Sequence, residues 1–107
     1  MAVKLGFEDG GITAEVDFTE ALRAAAGVVE ERARELCPVD TGYLKSSISS
    51  SVDGGAAYVS AGAPYAAYVE FGTSKAAAQP FLVPALLNNA GEIAEAFAKG
   101  MVDTENG

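Results

Sequence analysis

The chain has 107 residues, 50% of them hydrophobic and 21% charged, a composition that fits one small domain with its own core and excludes a disordered segment. Fifteen acidic residues against seven basic ones give a net charge of −8, which argues against ordinary nucleic-acid binding through clustered lysine and arginine and against adsorption to anionic lipid. There is no histidine and only one cysteine, so the commonest general base, the commonest zinc ligand, a thiolate metal cage and an internal disulfide are all missing.

Residues 1–18 alternate. Val3, Leu5 and Phe7 fall on one face, and Ile12, Ala14, Val16 and Phe18 repeat the pattern after Asp9-Gly10-Gly11. Period two around a glycine turn predicts a β-hairpin. The double glycine is not a phosphate cradle, because no lysine and serine or threonine follow in P-loop order. The opening residues show neither a basic start nor an apolar block, so no signal peptide is expected. No apolar run in the sequence approaches the roughly 20 residues of a membrane helix.

Residues 19–37 predict a long helix. Thr19 or Asp17 caps it, and Glu20 sits in the first turn, where the helix dipole favours a carboxylate. Leu22, Ala25, Ala26, Val29, Ala33 and Leu36 form an apolar stripe, with Glu30 and Arg34 spaced as an ion pair. Gly27, beside Ala24 to Ala26, offers a place for another backbone to come close.

Residues 38–62 predict an elbow and a second hairpin. Pro38 stops the helix by biasing Cys37 away from helical geometry. Asp40 and Thr41 can accept nearby backbone amides, Gly42 permits a positive φ, and Leu44 and Ile48 give the turn an apolar footing. Strands from Ile48 to Val52 and from Ala56 to Ala61 flank Asp53-Gly54-Gly55. The serine run of residues 46–51 reads as a solvated strand suited to an edge, since no histidine or Ser-x-x-Lys order activates a hydroxyl.

Residues 64–72 predict a short helix ended by Gly72, with Tyr65, Tyr68, Val69 and Phe71 as core and Glu70 among them. Glu70 reads as a structural hydrogen-bond acceptor; a general-acid role would need a second acid beside it, and the sequence places none. Residues 73–80 predict an exposed loop. Residues 81–101 predict the C-terminal helix, with Pro84 in its first turn and Leu86, Ala90, Ile93, Phe97 and Met101 on one face. Residues 102–107 predict a frayed tail.

Three stretches stand out together: Pro38 to Ile48 (Pro-Val-Asp-Thr-Gly-Tyr-Leu-Lys-Ser-Ser-Ile), Tyr65 to Thr73 (Tyr-Ala-Ala-Tyr-Val-Glu-Phe-Gly-Thr) and Pro80 to Ala85 (Pro-Phe-Leu-Val-Pro-Ala). In this order and spacing they resemble the head–tail connector, neck and tail-completion family of long-tailed, lambda-like bacteriophages, over about residues 18–100. The motif core carried over is Tyr65, Val69, Glu70, Phe71, Gly72, Thr73, Pro80, Phe81 and Pro84, beside the elbow of Pro38, Asp40, Thr41, Gly42, Leu44 and Ile48. The family usually has a basic residue after the first glycine, where this chain has Tyr43, and its loop after Thr73 is here short and alanine-rich.

The expected fold is α+β: one single domain over 1–107 with a small antiparallel sheet of about four strands, from two hairpins, packed against the long helix and the C-terminal helix. The resemblance implies a virion structural protein, made in the host cytoplasm and assembled as a ring around the DNA channel. Its partners would be itself, phage connector and tail proteins, and DNA passing without specific binding, with no membrane. No catalytic residue, cofactor or metal is expected. The alternative from another class is a small acidic binding or inhibitor module for a basic partner protein.

Overall fold

A computed structural model describes residues 2–8, 11–38 and 42–106 of the chain, with side chains described for 17–38 and 42–101. In order, the elements are β1 (Ala2–Glu8), β2 (Gly11–Asp17), α1 (Thr19–Leu36), α2 (Tyr43–Ser46), β3 (Ile48–Asp53), β4 (Ala56–Ala61), α3 (Ala66–Phe71), α4 (Leu82–Leu87) and α5 (Ala90–Asn106).

Helix α1 is the spine. At its start the Asp17 carboxylate accepts the Thr19 amide at 2.9 Å and the Thr19 hydroxyl at 2.6 Å, so Asp17 rather than Thr19 carries the first turn. Those bonds, the side-chain one first, hold the Asp17 carboxyl below its ordinary pKa. The helix ends where Cys37 turns extended (φ −67°, ψ 132°) ahead of Pro38, with the Cys37 amide still bonded to the Ala33 carbonyl at 3.0 Å. The buried stripe is Ala21, Ala25, Ala26, Val29 and Ala33. Leu36, predicted to continue it, is 49% exposed, and Cys37 takes the core position instead because the extended backbone turns its side chain inward.

The four strands do not form one sheet. β1 pairs with β2 and β3 with β4, each as a separate two-stranded antiparallel sheet. The expectation of a single sheet of about four strands is corrected by the length of α1. The first hairpin joins the N-terminal end of α1, whereas β3 and β4 pack along α1 from Ala25 onward. An 18-residue helix, roughly 27 Å long, therefore keeps the hairpins apart. The second hairpin turns through Gly54-Gly55, between paired Asp53 and Ala56.

The C-terminal segment also differs from the expected single helix over 81–101. It breaks at Asn88 and Asn89, where the Asn89 side-chain amide donates to the Ala85 carbonyl at 2.9 Å and the Asn89 carbonyl accepts the Ile93 amide at 2.9 Å. The two asparagines thus close α4 and open α5. Helix α5 then continues through residues 102–106, which were expected to fray; Gly107 lies outside the described residues.

Helices α1 and α5 pack along each other. The close approach falls at Gly100: a Cβ there would lie 2.8 Å from the Ala21 Cα and 3.0 Å from the Glu20 carbonyl oxygen. At Gly27, where a close approach was expected, an added Cβ meets nothing within 4 Å. Phe18 and Phe97 close the end of this contact with ring centroids 5.7 Å apart. Arg32 spans α1 and α5, bonding Glu92 at 2.6 and 3.1 Å while also holding Glu35 on its own helix. The Glu92 bond, then the Glu35 bond, raises the Arg32 pKa further.

The whole is drawn out, 64 × 27 × 21 Å, with a radius of gyration of 17.8 Å. A compact chain of this length would have about 13 Å. The core lies between α1, the β3–β4 sheet, α3 and α4, and its largest fully buried side chains are Phe81 and Ile48.

Candidate functional site

The three motif stretches fold onto one another. Leu44 and Ile48 from the first, Ala66 from the second, and Phe81 and Ala85 from the third share one buried cluster with Val29, Ala33 and Cys37. At the elbow, Gly42 has φ 80° and ψ −10°, the left-handed geometry predicted for it, and its carbonyl accepts the Ser46 amide at 2.9 Å to start α2. Asp40 and Thr41 lie outside the described residues. Pro38 is half-buried beside Cys37, whose thiol is pushed up in pKa by burial. Arg34 fastens the elbow's far side: one guanidinium nitrogen donates to Glu30 at 3.1 Å, the predicted pair, and to the Ile48 carbonyl at 2.8 Å.

Glu70 ties the second stretch to the third. It is 5% exposed, and its carboxylate accepts the backbone amides of Phe81 at 3.0 Å, Leu82 at 2.8 Å and Val83 at 3.1 Å. These donors open α4, whose own flanking residue, Phe81, supplies no side-chain cap. An acid eleven residues upstream therefore does the capping. Burial pushes the Glu70 pKa up, but the three amides together outweigh it, and the net shift is downward. Pro84 sits in the first turn of α4, where it needs no hydrogen bond of its own, and Phe81, the residue just before the helix, is fully buried.

Gly72 makes the turn out of α3 possible. Its backbone (φ 78°, ψ 175°) lies in a region open to glycine, and a Cβ would stand 2.7 Å from the Ala78 nitrogen. Thr73 then folds the loop over itself. Its hydroxyl accepts the amides of Lys75 at 3.1 Å and Ala76 at 3.0 Å, and its own amide donates to the Ala76 carbonyl at 2.9 Å. The Gln79 amide returns to the Val69 carbonyl at 2.8 Å, so residues 73–80, Pro80 included, are exposed yet closed at the base.

The aromatic residues of the second stretch are not the core they were expected to be. Tyr65, Tyr68 and Phe71 are 37%, 65% and 75% exposed, and only Val69 among the predicted apolar set packs against the core. The six-residue helix α3 buries one narrow face, and Ala66 and Glu70 occupy it. Tyr43, at the position where the resembled family carries a basic residue, meets Tyr65 edge-on at 6.1 Å between centroids. On α4, Val83, Leu86 and Leu87 also face outward. Between α1, β4, α4 and α5 runs an open apolar groove of about 330 Å³, floored by Ala26, Val29, Val59 and Ile93 and edged by Val83 and Leu86.

Sequence reasoning missed the groove, the Arg32 bridge and the close approach at Gly100. Each depends on which residues the fold brings together across long stretches of chain, and periodicity carries no such information. Among the described residues no group of three or more His, Cys, Asp or Glu is placed to hold a metal ion, and no helix is long and apolar enough to cross a membrane.

Residues 8–72 match the profile of the HK97 gp10-like family, described as "Bacteriophage HK97-gp10, putative tail-component". The match takes in the long helix, the elbow, the second hairpin and α3 up to its closing glycine. Neither a curated protein nor a solved structure matches the chain.

Proposed function

The chain belongs to the HK97 gp10-like family of bacteriophage tail components, and from that premise we propose that it is a virion structural protein of the head–tail joint, acting as a neck or tail-completion protein in a ring around the DNA channel. The observation that carries this reading is the set of large apolar side chains left outside the core. Tyr68, Phe71 and Leu87 are each more than 60% exposed on a chain of only 107 residues. Apolar residues displayed on a scaffold braced from within mark contact surfaces.

The mechanism is geometric. One surface of a copy meets a different surface of the next, and such heterologous contacts close into a ring when the rotation allows. The separate hairpins support this reading, because each two-stranded sheet has outer edges that no other described strand covers. Phage connector and tail proteins are the partners above and below. The net charge of −8 suits a channel wall that repels DNA weakly and lets it slide. The protein would gather in the host cytoplasm and end in the virion.

Glu70 is the carboxylate best placed for chemistry, and both of its oxygens already accept backbone amides. That supports a bracing role over acid–base catalysis. The acidic surface alone would also fit a binding module for a basic protein; a partner captured from host lysate and released by moderate salt would favour that reading.

The test is deletion of the coding sequence from the phage or prophage that carries it. Electron microscopy of the lysate should show heads and tails that fail to join, with joining restored by the full-length chain in trans. Normal virions from the deletion would overturn the proposal.

A further inference from the structure

We infer that the β1–β2 hairpin is an assembly arm whose apolar face seats in the α1–β4–α4 groove of a second copy of this chain. This inference rests on the self-assembly reading above and goes beyond it by naming the two surfaces that meet.

The arm's character follows from its register. Val3 pairs with Val16, Leu5 with Ala14 and Phe7 with Ile12, whereas the alternate pairs are Ala2 with Asp17, Lys4 with Glu15, Gly6 with Thr13 and Glu8 with Gly11. Directly opposed residues share a face of the ribbon. One face is therefore set with six apolar residues and the other is mostly polar. A two-stranded hairpin standing alone in water is marginal and needs an apolar surface to lie on. Among the described residues, β1 and β2 pack on each other, and no element of the body makes a substantial contact with either. The drawn-out shape agrees: the radius of gyration is 17.8 Å, against about 13 Å for a compact chain of this size.

The groove is the matching surface. It is apolar from Val29, Val59 and Ile93 at its floor to the exposed lip of Val83 and Leu86. A small-molecule site of this size would carry a few convergent polar groups to orient its ligand, and the lining residues supply no polar side chain. An apolar protein element is the occupant that fits.

The arm of the same chain is poorly placed to reach it. Only Phe18 separates β2 from α1. That joint is pinned by the Asp17–Thr19 bonds and by Phe18 against Phe97. Folding the arm back onto its own groove would break both. A second copy meets no such constraint, and arm-into-groove is a heterologous contact of the kind that propagates around a ring.

The experiment uses full-length chains. Leu5→Cys and Leu86→Cys are made separately, mixed, and oxidised at high protein concentration, with each variant alone as control. A disulfide-linked heterodimer in the mixture alone is the expected result. Leu86→Asp, at a position already 53% exposed, should leave the melting temperature of the monomer unchanged and weaken self-association at least tenfold. If closed oligomers form without the cross-link and Leu86→Asp leaves them intact, the arm inference falls and the ring reading stands. If a Leu5→Cys/Leu86→Cys double variant links only within one chain, the arm lies on its own groove and the exchange between copies is wrong. A chain that stays monomeric at every concentration removes both.

Discussion

Glu70→Gln is the substitution that most sharply probes how the motif stretches are held together. The side chain is 5% exposed and accepts three amides, two at Oε1 and one at Oε2. Glutamine keeps the shape but replaces one oxygen with a donor, so at least one buried amide faces an N–H. Leaving a buried donor unpaired costs about 1–3 kcal/mol, and the surviving bonds lose their charge assistance. A total of about 2–3 kcal/mol is expected, a large share of the roughly 5–15 kcal/mol that holds a domain of this kind. In a melting experiment that corresponds to a fall of about 10 °C or more.

The pH dependence is the sharper readout. The folded-state pKa of Glu70 is lowered from the ordinary 4.5. Its stabilisation is therefore complete above that value and is lost as pH falls through the lowered folded pKa. Denaturant titrations of the parent and Glu70→Gln should differ most near neutrality and converge in acid. Asp17 and Glu92 are lowered in the same direction, but they are present in both proteins and cancel in the difference. Parallel curves from neutrality down to about pH 3 would refute the idea that the ionised carboxylate holds α4 in place.

Four further substitutions separate backbone effects by their geometry. Gly72→Ala should cost about 2–4 kcal/mol, because it combines a strained backbone with a 2.7 Å clash against Ala78; a denaturation midpoint within error of the parent would contradict the turn described. Gly42→Val should cost about 1–3 kcal/mol from its positive φ of 80°, with no clash to add, and unchanged thermal stability would overturn that assignment. Gly100→Ala and Gly27→Ala should move in opposite directions. The first forces α5 off α1 at the Ala21 contact, and the second meets open space and gains about 0.5–1 kcal/mol of helix propensity. Equal effects of the two in a urea titration would place the helix crossing elsewhere.

Much of the local structure could be read from residue types. The stop at Pro38, the left-handed Gly42, the short helix before Gly72 and the Glu30–Arg34 pair all arise from chemistry within a few residues of chain. What depended on distant contacts could not be read so. Apolar periodicity marks which residues share a face, but not whether anything covers that face. Tyr65, Tyr68 and Phe71 were therefore expected in the core and stand outside it. The two hairpins looked like partners in one sheet because a strand's apolar alternation does not say which other strand it pairs with, although the long helix between them was legible. Glu70 was read as structural, but its partners, the amides at the head of α4, come from residues whose side chains play no part in the bond.

The exposed apolar residues give the proposal its functional content, because they matter only if copies of the chain, or its proposed phage partners, meet on them. Native mass spectrometry of the full-length protein over a wide concentration range, with negative-stain microscopy of any large species, measures that directly. The account predicts one closed oligomer with a central hole. A monomer at every concentration, alone and with purified phage tails or heads added, would contradict it.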